Sequence, residues 1–133
     1  MGLKINGTLP AFNNSYHFNS SPKYRKSIFT KDIATKIYNL IDIKCNELDF
    51  ILHSSVVDAD HIHFIIESIK DPSNIAHRIF GYLAFALRKE FPKLKDLNQD
   101  HLWGGTQCKI ILNEKHFKEA INYVNTHKMT ELE

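Results

Sequence analysis

Long apolar runs are missing from this chain of 133 residues. None approaches the ~18 residues that a membrane span needs, and the opening Met1-Gly2-Leu3-Lys4 has no signal-peptide hydrophobic stretch behind it. Cysteine is scarce, at two residues. Cys45 and Cys108 form no CxxC pair and lie inside apolar-periodic segments, so they read as reduced core residues of an intracellular protein. Charge of one sign is also in short supply. A net charge of +2 is small for a dedicated duplex binder, so it permits nucleic-acid binding without indicating it. No repeat and no low-complexity segment occurs. Hydrophobic content of 43% with 24% charged residues is ordinary for one globular domain with a single core.

Residues 1–12, with Gly2, Gly7 and Pro10, hold no sustained period and read as a flexible N-terminal arm. A single domain is expected over 13–128, followed by an acidic tail over 129–133. Asn14 to Ser20 alternates weakly as a first strand, with Tyr16 and Phe18 on one face and His17 on the other, and Ser20-Ser21-Pro22 ends it. Lys23, Tyr24, Arg25 and Lys26 then form a basic-aromatic cluster in the link to a helix over about Lys31 to Asn46, with Thr30 as N-cap. Leu48 to Val57 and the segment after Asp58-Ala59-Asp60 form a strand hairpin. His53, on the first of these strands, reads as a structural histidine. Asp71-Pro72 opens a second helix that runs to Phe91-Pro92. Lys93 to Asp100 is a charged connector, Trp103 to Leu112 a strand with a bend or bulge at Gly104-Gly105, and Asn113 to Lys128 a last helix. The order β-α-β-β-α-β-α predicts an α+β, ferredoxin-like (RRM-like) antiparallel sheet with helices on one face and an added C-terminal helix.

Chemistry concentrates in Asp60-His61-Ile62-His63-Phe64-Ile65-Ile66-Glu67. Strand alternation turns Ile62, Phe64 and Ile66 to one side and His61, His63, Ile65 and Glu67 to the other. Burial of the apolar side would hold the two histidines side by side, their Cβ atoms roughly 7 Å apart, close enough to lean onto one cation. Taken alone, such a pair is as compatible with a solvated or core-satisfied role. On the last helix Tyr123 and His127 stand four apart, on one flank of the apolar stripe. A phenol, which ordinarily titrates near ~10, needs help as a nucleophile at neutral pH. A cation held by His61 and His63 and completed by His127 would bring Tyr123 to the edge of the same phosphate. Packing at a core margin is the alternative reading of that pair.

Together these motifs, over about Tyr16 to Lys128, resemble the single-tyrosine HUH transposases of small bacterial and archaeal insertion sequences. The resemblance rests on Tyr16, Lys23-Tyr24-Arg25-Lys26, the His61-Ile62-His63 stretch, Ile79-Phe80-Gly81-Tyr82-Leu83, Leu102-Trp103-Gly104-Gly105 and Tyr123-Val124-x-x-His127. It implies a cytoplasmic prokaryotic homodimer that cleaves and rejoins single-stranded DNA at the ends of its element, with Mg²⁺ or Mn²⁺. Tyr123 would be the nucleophile and become joined to a 5′ phosphate, with His61 and His63 as metal ligands. Where the family often has a glutamine, His127 would be the third ligand, a change that favours softer ions. Hairpins near the element ends would be the DNA partner, with Lys23, Arg25 and Lys26 as candidate contacts. Ser20-Ser21-Pro22 departs from the more apolar run of the family.

Two other classes stay open. One is a catalytically inactive or domesticated ferredoxin-like nucleic-acid-binding relative. The other is a metal-dependent hydrolase that uses water, with only Asp60 and Glu67 nearby in sequence as bases. An RRM-type RNA binder would carry aromatic motifs where His61 and His63 stand. Asp60 is expected to shape the turn rather than touch the ion.

Overall fold

A computed structural model describes residues 2–98 and 101–131, the side chains of 96–98 and 127–131 excepted. The strands and α-helices of the described residues are, in order, β1 (Leu3–Asn6), β2 (Ser15–Pro22), α1 (Lys31–Glu47), β3 (Ile51–Val57), β4 (Ile62–Glu67), α2 (Pro72–Glu90), α3 (Lys93–Asn98), β5 (Trp103–Ile110) and α4 (Glu114–Glu131). The sheet order is β1-β5-β2-β4-β3. Strands β5, β2, β4 and β3 pair antiparallel in the ferredoxin-like manner.

Beyond the four strands expected, a fifth is present. Leu3–Asn6, inside the segment read as a flexible arm, pairs parallel with Thr106–Lys109 of β5. Of its four residues Leu3 is partly buried and the other three are exposed, Ile5 to 43%. Leu3 and Ile5 alternate with Lys4 and Asn6, but four mostly exposed residues are too short a run to read as a strand, and the partner lies some hundred residues away. The charged connector likewise contains the short helix α3, and β2 runs on through Ser21 and Pro22. Proline is tolerated there because the register shifts at Ser21/Pro22, at the strand's end.

Helix starts follow the residues that cap them. Thr30 Oγ1 accepts from the Ile33 N–H at 3.4 Å and Asp71 Oδ1 from the Asn74 N–H at 2.8 Å, each satisfying an amide that the first turn leaves without a helical partner. Asn113 does the same for the His116 N–H at 2.8 Å.

Helices α1 and α2 cover one sheet face. Ile33, Ile37, Leu40 and Ile41 of α1 and Ile75, Ile79, Phe80, Leu83 and Leu87 of α2 meet Tyr16, Phe18, Ile62, Phe64 and Ile66 from the strands. Phe80 stacks on Phe64 at 5.0 Å and stands edge-on to Trp103 at 5.2 Å. The Trp103 indole N–H also donates to the Phe80 carbonyl at 2.9 Å. Both cysteines are free and buried, and burial pushes each thiol up to about 12. Helix α4 lies on the opposite face over a smaller cluster of Val56, Ile65, Ile111, Ala120 and Val124. Among the described residues, no helix is long and apolar enough to cross a membrane.

Candidate functional site

Strand β4 has to serve both faces. Ile62, Phe64 and Ile66 fill the main core, which turns His63 and Ile65 toward α4. His61 falls just before the strand, in the turn closed by the Asp58 N–H donating to the His61 carbonyl at 2.8 Å. The two imidazoles still come together, with centroids 5.0 Å apart and planes at 87°. Helix α4 is seated by Ala120 and Val124, by the Phe117 ring 5.0 Å from His53, and by a 2.6 Å hydrogen bond from the Ser54 hydroxyl to Asn125 Oδ1. That seating carries the Tyr123 ring to 5.5 Å from His63 while leaving Tyr123 51% exposed. The His63 ring therefore neighbours both His61 and Tyr123, which are far apart in sequence. His127 follows Tyr123 by one turn, about 6 Å along the axis; its backbone belongs to α4, and its side chain lies outside the described residues.

His61 Nδ1 lies 2.7 Å from Asp60 Oδ1 and 3.7 Å from Asp58 Oδ2. Asp60 Oδ2 is in turn held by Arg25 Nε at 3.2 Å. The His61 hydrogen bond, and behind it Arg25, draws the Asp60 carboxyl below its usual range. Asp60 thus braces a histidine, while the side-chain bond to the turn's backbone comes from Asp58, whose Oδ1 accepts from the Ala59 N–H at 2.7 Å. Among the described residues, Asp58, Asp60 and His61 are the group whose possible ligand atoms all lie within 4.8 Å of one another. Imidazole nitrogens with carboxylate oxygens are a donor set that suits a divalent cation.

His17 was passed over in the sequence. It stands on β2, beside β4, in a register that sets His17 against Ile65 and Asn19 against His63. Its Nε2 lies 3.2 Å from His63 Nδ1, and its ring is 6.1 Å from Tyr123. Burial first, then the electrostatic influence of nearby Lys109 and His116, pulls its titration down to about 4, so it is neutral at physiological pH. A signal existed. Tyr16 and Phe18 share the core with Ile62, Phe64 and Ile66, so His17 must share the opposite face with His63. His53, by contrast, pairs with Glu67 Oε1 at 2.8 Å and is structural, as its position suggested.

The basic cluster forms a single 3-10 turn, Lys23–Arg25, with Tyr24 at φ 62° and Arg25 at φ 51°. Tyr24 is 77% exposed, with the Lys23 and Lys26 ammonium groups 5.4 Å and 5.9 Å from its ring centroid. The turn packs against β5 where Gly104 has no side chain; a Cβ there would come within 2.9 Å of Lys23 Cα. Beside it, Lys4, Asn19, Ser21, Gly105 and Gln107 line an open groove of about 560 Å³. By register these residues lie on the α4 side of the sheet, on the half that α4 leaves uncovered.

Comparison with known proteins bears on this arrangement. The family described as "Transposase IS200 like" matches residues 10–127. No curated protein matches. Among solved structures, a candidate transposase of Deinococcus radiodurans R1 superposes with a TM-score of 0.69 at 17% identity, over 91% of this chain and 95% of that one. A REP-associated tyrosine transposase bound to a REP hairpin does so at 0.62 and 14% identity, over 94% and 73%. At such identities the structural likeness speaks for the fold. The family match, over most of the length, goes further: the chain belongs to the IS200-like transposases.

Proposed function

We propose that this transposase cleaves and rejoins single-stranded DNA at the ends of an insertion sequence through a 5′-phosphotyrosine intermediate on Tyr123, within the domain spanning 13–128. The observation that carries the reading is the approach of the Tyr123 ring to the His61/His63 pair inside one chain. Tyr123 Oη attacks the scissile phosphorus in line. The bond from phosphorus to the 3′ oxygen breaks, the tyrosine keeps the 5′ phosphate, and a 3′ hydroxyl leaves. Because the phosphodiester is exchanged rather than hydrolysed, a second 3′ hydroxyl reverses the step and joins new ends.

His61, His63 and His127 would hold a divalent cation, Mg²⁺ or Mn²⁺, which polarises the phosphate and offsets its charge when bound. The perpendicular imidazoles and the Nδ1 contacts of both fit that role. Half exposed, Tyr123 is open to a strand on the sheet face that also carries the groove, whose Asn19 is paired with His63. Arg25 lines that groove and, with Lys23 and Lys26 beside it in the chain, would supply phosphate contacts. The hairpin in the REP-associated neighbour supports folded single-stranded DNA as the partner. A homodimer in the cytoplasm is the assembly this reading assumes.

The test uses single-stranded DNA from the flanks of the gene, labelled 3′ of the cut and incubated with Mn²⁺. A denaturing gel should show a covalent protein–DNA adduct that is absent with Tyr123→Phe, with His61→Ala and without metal. Cleavage by Tyr123→Phe would make water the nucleophile. DNA binding with no adduct in any lane would favour the inactive or domesticated relative.

A further inference from the structure

The environment of His17 carries an inference beyond this reading, although it rests on it. His17 Nε2 and His63 Nδ1 face each other at 3.2 Å, with ring centroids 5.4 Å apart. The two residues are only 4% and 9% exposed. When both rings are neutral, one ring donates and the other accepts across such a contact. Which one donates decides the state of His63's far nitrogen. If His17 donated, His63 would keep its own proton on Nε2 and could bind a cation there only after losing it. If the His63 Nδ1–H donates, Nε2 carries the lone pair.

His61 meets the same requirement with a carboxylate. Asp60 Oδ1, 2.7 Å from His61 Nδ1, is an acceptor, so Nδ1 bears the proton and, in the neutral ring, Nε2 the lone pair. The arrangement at His63 has the same layout with a different acceptor. Each histidine turns Nδ1 into the protein, one to Asp60 and one to His17.

We propose that His17 is the positioning residue for His63: its Nε2 accepts the His63 Nδ1–H and so fixes both the ring's rotation and the tautomer that presents Nε2 to a divalent cation. The role needs an acceptor at the Nε2 position, not an imidazole as such. Glutamine, whose Oε1 reaches about as far, preserves it. Leucine fills similar space and removes it.

The experiment measures two things on the full chain: Mn²⁺ affinity by calorimetry, and the His63 tautomer by long-range ¹⁵N–¹H correlation without metal. The wild type should show the proton of His63 on Nδ1. His17→Leu should weaken Mn²⁺ binding roughly 10- to 100-fold, the range for loss of a ligand-orienting partner, and His17→Gln should recover it to within a few-fold. A His63 proton on Nε2 in the wild type, or Mn²⁺ binding unchanged in folded His17→Leu, overturns the proposal. If His17→Leu does not fold, the wild-type tautomer and the His17→Gln affinity still decide. His63→Ala runs in parallel to separate two failures. Should His63→Ala bind Mn²⁺ like the wild type, the ligand reading falls and takes this one with it. Should it lose binding while His17→Leu does not, only the role of His17 fails.

Discussion

The two faces of the sheet are built on different terms. On one, α1 and α2 press a continuous layer of aliphatic and aromatic side chains onto Phe18, Phe64, Ile62 and Ile66, all fully buried. On the other, α4 rests on Val56, Ile65 and Ile111 through Ala120 and Val124, and the neighbouring ground is held by His17 and His63. Burial of apolar area is the dominant stabilising term, so the first face carries the fold. The second can seat polar groups that would be intolerable in the first, provided they satisfy one another. Strand β4 belongs to both, residue by alternate residue. Stability and chemistry are thus separated by the thickness of one strand.

The sharpest way to test that separation is Tyr123→Phe. It removes one hydroxyl from a half-exposed side chain. Adduct formation should fall by at least about 1,000-fold, as for loss of a nucleophile, while the melting temperature moves by no more than ~2 °C, as for a surface change. A large loss of stability would mean that Tyr123 holds α4 down rather than reacting.

The opposite pattern is expected from the core. Phe64→Ala should cost about 3–5 kcal/mol in urea unfolding, the transfer term plus the cavity left between Phe18 and Phe80. Val124→Ala should cost about 1–2.5 kcal/mol, because it removes two methyl groups from a buried but much smaller cluster. Hydrogen exchange should localise the second effect to the α4 amides and spread the first over the whole sheet. Equal costs for the two would erase the distinction between the faces.

A smaller effect comes from pH. His17 titrates near 4 in the folded protein because burial disfavours its charged form, against about 6.5 in an unfolded chain. Between those values the unfolded state binds the extra proton. Stability is therefore full above about pH 6.5, falls as pH drops toward 4, and the group's contribution levels off below that. The slope from this residue reaches at most about 1.4 kcal/mol per pH unit. Metal-free His17→Gln should lose that component in urea melts from pH 8 to 4. An unchanged slope would mean that His17 is solvated. Asp60, lowered chiefly by its bond to His61, adds a loss in more acid solution as its carboxylate protonates.

How much of this was visible in the sequence depends on how local the cause is. Caps at Thr30, Asp71 and Asn113 act within one turn, and all three were readable. The faces of β4 were readable because Ile62, Phe64 and Ile66 are large and alternate. Strand β1 was not, since it exposes nearly everything it carries and is held by pairing to β5 across the chain. The bulge between Leu52 and Ser54, which turns His53 outward to Glu67, depends on register alone. His17 is the instructive case. Its face could be inferred from Tyr16 and Phe18, but its partner follows from β2 lying beside β4, and only the assembled sheet sets that distance.

The last and smallest contrast lies at the edge of the face that carries His17 and His63, in the basic turn. Arg25 is mostly exposed and pairs with Asp60, whereas Lys26 sits over Tyr24. An exposed ion pair is worth at most about 1 kcal/mol, so neither Arg25→Ala nor Lys26→Ala should unfold the protein. If both side chains meet phosphates, each substitution should weaken single-stranded DNA binding and reduce the slope of log affinity against log salt by about 0.7. Only Arg25 also touches the carboxylate that braces His61. Its loss lets Asp60 titrate closer to the ordinary carboxylate range, yet leaves it ionised at neutral pH and still able to accept from His61 Nδ1. Mn²⁺ affinity in Arg25→Ala should then change by less than about threefold, a shift of under 0.7 kcal/mol. A loss as large as that expected for His17→Leu would show that the basic turn belongs to the metal site first and to the DNA second. The line between positioning the ion and gripping the strand would then run through Lys23–Arg25, not beside it.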